Sequence, residues 1–212
     1  MAIMKVEPPF MALSEVIPGR LYVSAFARAP YREKTGKAVR RAADSLRAAG
    51  IGSIINCCGD SGRAMHPPHD FRYMHLRGLR DAPTAKSAAR LAESLPSCIA
   101  FARASWLVAA RGGGGGRLAV NGGAQRMGLL VHCREGKSRS ASVAVAILCA
   151  LDPALTVRDA LLRVQDARPI CQPNPSFMRA LIAWRNEEGG GVCAAAVSAA
   201  VSANESIAAL GT

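Results

Sequence analysis

The sequence has few aromatic residues and lacks a long apolar run. Phe, Trp and Tyr make up 5% of its 212 residues. The longest apolar stretch in the body of the chain, Val143–Leu151, is far shorter than the roughly 20 residues of a membrane-spanning helix. Met1–Phe10 carries a glutamate and two prolines where a secretory signal would be apolar. We therefore expect no transmembrane segment and a cytoplasmic or nuclear location.

The cysteines follow no repeating spacing, and their number is odd. Seven are present, and no secretion signal accompanies them, so we expect reduced thiols rather than a disulfide framework. Cys57 and Cys58 could combine with His66 and His69 as four zinc ligands, but adjacent cysteines fit tetrahedral zinc poorly. We therefore expect no metal at this cluster.

Acidic residues are fewer than basic residues. The 27 Lys and Arg residues exceed the 15 Asp and Glu residues, which gives a formal net charge of +12. Because the basic residues are scattered rather than grouped in blocks, we do not expect nucleic-acid binding, whereas an anionic substrate fits. Half of the residues are hydrophobic. That composition excludes wholesale disorder and suffices for one well-packed domain.

Short apolar segments alternate with amphipathic ones along the chain. Strands are expected at residues 17–24, 51–57, 71–76 and 129–132, and helices at residues 37–49, 85–111, 139–151, 156–168 and 173–186. This alternation predicts an α/β fold with a central, mainly parallel twisted sheet flanked by helices. Pro96 is expected to break the helical pattern of residues 85–111 or to start a second helix there.

We place the folded domain at residues 15–187, with one insertion inside it and one extra segment at each end. Residues 1–14 form an N-terminal extension. Gly112–Gly128 contains eight glycines in 17 residues and is interpreted as a flexible surface insertion. Residues 188–212 are rich in Ala and Gly and are interpreted as a mobile tail.

The stretch from Leu129 to Val143 contains the residues that point to a chemical function. A strand is expected to end at His132, a short loop follows, and a helix begins near Arg139. Backbone N–H groups of such a loop can converge on an anion, and the positive end of the helix dipole adds to the attraction. Cys133 at the base of this nest would be held as a thiolate, and Arg139 could clamp two phosphoryl oxygens.

The string His-Cys-Arg-Glu-Gly-Lys-Ser-Arg-Ser at residues 132–140 resembles the protein tyrosine phosphatase signature, His-Cys-x5-Arg-Ser/Thr. Within that superfamily it resembles the small dual-specificity phosphatases, and most closely the short type related to the vaccinia virus enzyme, which has Tyr at the position of Lys137. The flanking segments that resemble the same family are Gly19–Val23, Ala49–Asn56, Asp81–Pro83, Arg168–Ile170 and Pro173–Phe177. The resemblance implies a protein tyrosine phosphatase-like fold over roughly residues 15–187.

The resemblance also implies the roles of the signature residues. Cys133 would be the nucleophile that forms a phosphocysteine, Arg139 would hold the phosphoryl oxygens, and no cofactor or metal would be needed. Ser140 would help to expel the thiolate during hydrolysis, and His132 would order the loop through hydrogen bonds. The remaining phosphate-loop residues are Arg134, Glu135, Gly136, Lys137 and Ser138. Glycine at position 136 would allow the turn of the loop.

The leaving alcohol needs a proton, and a carboxylic acid on a neighbouring loop is the usual source. We prefer Asp81 among the aspartates that precede the signature, because it follows the strand of residues 73–76 and is followed by Ala-Pro and a helix. Asp60 is the second candidate. Asp81 lies 52 residues before Cys133, a longer spacing than in related short enzymes. The glycine-rich insertion accounts for most of the excess.

Substrate choice stays open on these residues. The preferred function is hydrolysis of phosphotyrosine and phosphoserine or phosphothreonine in proteins, kinases among them. The basic residues Arg134 and Lys137 at the loop rim also fit a phosphoinositide or another non-protein phosphomonoester. A catalytically silent phosphate-binding module is a third hypothesis. Arg168 is either a ligand of a second substrate phosphate or a helix C-terminal residue that balances the dipole. The oligomeric state is not determined by these patterns.

Overall fold

A computed structural model describes residues 13–25, 43–58, 71–110 and 127–187. In chain order the elements are β1 (Ser14–Ile17), β2 (Leu21–Ala25), helical residues 43–48 (α1), β3 (Ile51–Asn56), β4 (Arg72–His75), α2 (Ala85–Ala110), β5 (Gly128–Cys133), α3 (Arg139–Leu151), α4 (Val157–Ala167) and α5 (Pro175–Glu187). The strands form one sheet in the order β1-β2-β5-β3-β4.

Strand β5 lies at the centre of the sheet, between β2 and β3, and runs parallel to both. Its last residues pair with the last residues of its neighbours, Cys133 with Ala25 and His132 with Asn56. Strand β4 is also parallel to β3, and only the edge strand β1 is antiparallel. The carboxyl ends of four parallel strands therefore meet at one edge, where open α/β sheets bind ligands.

Helices cover both faces of the sheet. Side chains alternate along β5, so that Leu129 and Val131 join the large core formed with α2, α3, α4 and α5. Leu130 faces the other way and packs with Leu46 of α1 and Ile54 of β3. Because β5 is buried on both faces, all six of its residues are buried.

The predicted α/β class and the mainly parallel sheet are confirmed. Each expected strand and helix is present where the described residues cover it, and the bounds that can be compared agree within a few residues. Only residues 43–48 of the helix expected at residues 37–49 are described. The strand expected at residues 17–24 corresponds to β2, and β1 was not predicted.

The expected break at Pro96 is wrong, because α2 continues through this residue. Pro96 lies on the exposed side of α2. Leu91, Leu95 and Cys98 are fully buried on either side of it, so their packing holds both halves in one helix.

The structure also bears on the predicted boundaries. Strand β1 begins at Ser14, one residue before the expected start of the domain. Gly128 is the first residue of β5, so the expected insertion at Gly112–Gly128 overlaps the strand by one residue. Most of that insertion, the tail at residues 188–212 and most of the extension at residues 1–14 lie outside the described residues. None of the helices in the described ranges combines the length and apolar character needed to span a bilayer.

Candidate active site

The signature loop sits between the central strand and the most buried helix. Strand β5 ends at Cys133, residues 134–138 form the loop, and α3 begins at Arg139. Ten consecutive residues of α3, Ser140 to Cys149, are buried. The loop is thus fixed at both ends by elements packed in the large core. Its amides and the N-terminus of α3 are held at the carboxyl edge of the sheet.

The tight curvature of the loop depends on Gly136. Its φ is +66°, in the left-handed region that favours glycine. A Cβ here would lie 2.5 Å from the backbone nitrogen of Ala25 and 2.5 Å from the carbonyl carbon of Ser24. The loop therefore passes against the end of β2 at a distance that only glycine permits.

The Cys133 sulfur lies at the bottom of the loop and is 1% exposed. The amide of Gly136 donates to it at 3.2 Å, and the Ser140 hydroxyl lies 3.2 Å away. Burial by itself acts to raise the pKa of Cys133. The Ser140 hydroxyl, the amides of Ser140 and Lys137 and the positive charge of Arg139 outweigh this effect and lower the pKa below its ordinary value.

The other described cysteines show the opposite behaviour. Burial raises the pKa of Cys57 far above its usual range, and it raises the pKa of Cys98 to about 12. The pKa of Cys58 and that of Cys171 are each raised to about 11, mainly by burial. Cys133 is thus distinguished from these thiols by hydrogen-bond donors that favour its ionised form, rather than by exposure. The six described cysteines form no disulfide with one another.

Arg139 is the first residue of α3, and its side chain turns back toward the sheet edge. One terminal nitrogen, Nη1, donates to the carbonyl of Cys57 at 3.0 Å, and Nε lies 3.7 Å from Oδ2 of Asp81. The side chain is 11% exposed. The Cys57 carbonyl therefore anchors the guanidinium next to the nest, in a position where its remaining N–H groups can meet an anion.

Asp81 lies in the loop between β4 and α2 and reaches the signature loop. Its Oδ1 accepts hydrogen bonds from the Ser138 hydroxyl at 2.7 Å and from the Asn174 side-chain amide at 2.9 Å. The carboxylate remains 33% exposed. Asp81 therefore lies beside the nest, where a general acid is needed. Asp44 instead pairs with Arg47 within its own helix, and Asp60 lies outside the described residues.

Arg168 contacts the loop from its outer side. It ends α4, and its guanidinium donates to the carbonyls of Gly136 at 2.8 Å and Glu135 at 3.2 Å. The Cys171 thiol also donates to the Gly136 carbonyl, at 3.5 Å. Because these groups hold loop carbonyls outward, they help to turn the loop amides inward. A contact of Arg168 with a second substrate phosphate stays a prediction.

The remaining predicted residues divide into two groups. His132 and Ser140 are buried at the two ends of the loop, and the His132 carbonyl accepts the amide of Cys57 at 2.8 Å. Arg134, Glu135 and Lys137 are exposed, as expected for a rim. The Lys137 carbonyl accepts the Gln172 amide at 2.7 Å, so its backbone is fixed although its side chain is open to solvent.

The zinc cluster considered in the sequence has no counterpart in the described ranges, where no group of three or more His, Cys, Asp or Glu residues could hold a metal. His66 and His69 lie outside those ranges.

Asn174 was not recognised as a site residue from sequence. Its side chain donates to Asp81, its Oδ1 accepts the Phe177 amide at 3.0 Å, and its own amide donates to Ser138 at 3.2 Å. The available signal was local: an Asn immediately before Pro175, the first residue of α5, is a typical helix N-cap. Nothing in the sequence connects that cap to Asp81, 93 positions earlier.

Comparisons with known proteins agree with this geometry. Residues 123–187 match the family model described as dual specificity phosphatase, catalytic domain. This part of the chain, from before β5 to the end of α5, is therefore similar to the catalytic domain of dual specificity phosphatases. The structure of a variant of human DUSP28 is similar to this chain, with a TM-score of 0.57 and 25% identity, over 87% of this chain and 100% of that one.

Two curated relatives share shorter parts. MAP kinase phosphatase with leucine-rich repeats protein 3 of Dictyostelium discoideum is 28% identical over 139 residues, which are 66% of this chain and 13% of that protein. Dual specificity protein phosphatase 19 of Mus musculus is 40% identical over 65 residues, 30% of this chain and 29% of that protein. The chain thus spans less than a third of the length of these curated relatives.

Proposed function

We propose that this chain hydrolyses phosphotyrosine and phosphoserine or phosphothreonine in proteins through a phosphocysteine intermediate. The observation that carries the proposal is the Cys133 sulfur, buried among amide and hydroxyl donors that lower its pKa. A thiolate directly beneath converging N–H groups is placed to attack a phosphoryl group that those amides hold. Kinases are proposed among the substrates, since one relative is named as a MAP kinase phosphatase.

Each remaining site residue has a proposed role in two chemical steps. In the first step Cys133 attacks phosphorus, Arg139 and the loop amides stabilise the charge on the phosphoryl oxygens, and Asp81 protonates the leaving oxygen. In the second step water displaces the cysteine sulfur. The Ser140 hydroxyl, 3.2 Å from that sulfur, donates to the departing thiolate.

The test is a comparison of hydrolysis rates on phosphotyrosine peptides, phosphothreonine peptides and phosphoinositide vesicles. We expect turnover of both peptides, and loss of at least about a thousandfold in Cys133→Ser, because a serine hydroxyl does not ionise in this nest. Cys98→Ala is the matched control, since it removes a buried cysteine of α2 outside the site. Faster turnover of phosphoinositide than of either peptide would contradict the proposed substrate class. Lack of turnover of every substrate would favour a phosphate-binding module.

A further inference from the structure

The carboxylate of Asp81 is held at one oxygen only. Its Oδ1 accepts two hydrogen bonds, from the Ser138 hydroxyl at 2.7 Å and the Asn174 amide at 2.9 Å. Within the described residues, Oδ2 accepts none and lies 3.7 Å from Nε of Arg139. The two oxygens are therefore distinct: one points into a protein network, and the other faces the guanidinium that is placed to hold a phosphoryl group.

The network that holds Oδ1 joins three segments of the chain. Ser138 belongs to the signature loop, Asp81 to the β4–α2 loop, and Asn174 to the turn before α5. Asn174 also fixes its own orientation, because its Oδ1 accepts the Phe177 amide at 3.0 Å and its backbone amide donates to Ser138 at 3.2 Å. With its oxygen committed to the helix cap, the side chain can present only its NH₂ group to Asp81.

We infer that Asn174 is a positioning residue that assigns the acid proton of Asp81 to Oδ2 and aims it at the leaving oxygen. An oxygen that already accepts two hydrogen bonds is a poor site for the proton, so the protonated acid carries it on Oδ2. This inference rests on the proposed phosphatase function and assigns Asn174 a part in it.

The proton transfer balances within this geometry. As the Cys133 sulfur bonds to phosphorus, the bond between phosphorus and the leaving oxygen breaks, and that oxygen retains the electron pair. The Oδ2–H bond of Asp81 then breaks, its electron pair stays on the carboxylate, and the proton bonds to the leaving oxygen. The carboxylate that results is stabilised by the same Ser138 and Asn174 donors. Asn174 acts through Asp81 in this step and does not contact the substrate.

The variant Asn174→Ser distinguishes the positioning of Asp81 from the helix-capping role of Asn174. Serine is a good N-cap whose hydroxyl can accept the Phe177 amide, but it is too short to donate to Asp81. Asn174→Asp also keeps the cap and removes the donor, and it serves as a second variant if the serine variant is poorly folded. Thr156→Ala is the matched control, because Thr156 caps α4 by accepting the Asp159 amide at 3.1 Å, away from Asp81.

The measurement is kcat/KM on a series of aryl phosphates whose leaving groups differ in acidity. For the least acidic leaving group we expect Asn174→Ser to lose on the order of tenfold, part of the 10²–10⁴ that a general acid contributes. For the most acidic leaving group we expect a loss of about twofold or less, because little proton transfer is needed. Thr156→Ala should change all substrates by the same factor.

A second comparison uses the Asp81→Asn background. There, Asn174→Ser should cause little further loss, since the proton it positions is already absent. An equal loss on every leaving group, or the same tenfold loss added to that of Asp81→Asn, would overturn the inference. If the unmodified chain turns over the series, and Asp81→Asn shows the leaving-group dependence but Asn174→Ser does not, the proposed function survives and the inference fails. An inactive unmodified chain would overturn both.

Discussion

Cysteine reactivity in this chain is decided by the hydrogen bonds around each sulfur. Cys133 and Cys57 are both buried at the carboxyl edge of the sheet. Burial opposes ionisation at both, but only Cys133 receives the donors that lower its pKa. Exposure therefore does not separate these two thiols, whereas the motif spacing selects the one whose pKa is lowered.

This contrast predicts selective alkylation. The pKa of Cys133 is lowered and that of Cys58 is raised to about 11, so a larger fraction of Cys133 is ionised at any given pH. Iodoacetamide at about pH 6.5 should therefore modify Cys133 at least tenfold faster than Cys58. The rate should fall as the pH drops through the Cys133 pKa, because protonation removes the nucleophile. Peptide mapping after timed quenching measures both sites. Phosphate should protect Cys133 and leave Cys58 unchanged, and equal rates at the two cysteines would contradict the low pKa.

Gly136 should tolerate no side chain. Gly136→Ala places a Cβ 2.5 Å from the backbone of β2 and adds a left-handed strain of about 1–2 kcal/mol. We expect the free energy of unfolding to fall by more than that strain alone and kcat/KM to fall by at least about tenfold, because the loop must move. Chemical denaturation and a phosphatase assay check the two effects.

Gly19→Ala is the matched control for that substitution. Gly19 also has a positive φ, +67°, but a Cβ there would meet no atom within 4 Å. Gly19→Ala should therefore lose only the stability that corresponds to the left-handed strain, and its kcat/KM should be unchanged. If the two variants lose the same stability and Gly136→Ala stays active, the close approach of the loop to β2 is not needed.

The candidate residues for direct chemistry follow from the sequence pattern, whereas the contacts that hold them in place do not. The signature spacing identified Cys133 and Arg139, and the position of Asp81 after a strand identified the acid candidate. The Cys57 carbonyl that anchors Arg139 and the amide of Asn174 were missed. A backbone carbonyl and a helix cap have no sequence pattern that ties them to a distant site.

At the scale of elements, the pattern of apolar residues was sufficient to predict the strands and helices, whereas Pro96 led to a wrong prediction. Short apolar runs predicted the buried strands, and helical spacing predicted α3 and α4 nearly to the residue. Local propensity at Pro96 predicted a break in α2 that does not occur. The free-energy cost of one proline in the helix is opposed by the burial of several side chains along the same helix. Because that burial depends on tertiary packing, a local sequence pattern does not reveal it.

Removing this proline should stabilise the protein. Pro96→Ala restores an N–H donor in the middle of α2 at an exposed position. Proline costs up to about 3 kcal/mol relative to alanine inside a helix, and its rigidity returns about 0.4–1 kcal/mol through the unfolded chain. We therefore expect a gain of about 1–2 kcal/mol with unchanged kcat/KM. Thermal and chemical unfolding measure it, with the exposed neighbour Ser97→Ala as control. A destabilised Pro96→Ala would show that the helix is shaped around the proline.

At the scale of the whole molecule, the main feature is a large positive net charge. The net charge is +12, and Arg134 and Lys137 expose their side chains at the rim of the loop. Such a surface attracts anionic substrates over several ångströms and is screened by salt. In the proposed mechanism the reacting phosphoryl group lies below the rim, so the rim should act on the rest of the substrate.

The rim charge predicts a salt-dependent KM. Lys137→Tyr should raise KM for a phosphopeptide with acidic flanks by about two- to fivefold at low ionic strength, and the difference should shrink at high salt. KM for a small aryl phosphate should change little. Steady-state kinetics on both substrates at two ionic strengths check this. Identical effects on both substrates, independent of salt, would mean that Lys137 is only a solvated surface charge.

The most direct test of the whole account is to trap the covalent intermediate. The chain is mixed with a phosphotyrosine peptide, quenched in acid within milliseconds and digested, and the phosphorylated residue is identified by mass spectrometry. The account predicts a phosphate on the Cys133 sulfur, formed at least as fast as steady-state turnover and absent in Cys133→Ser. Turnover that persists in Cys133→Ser, or a phosphate trapped on another residue, would contradict it.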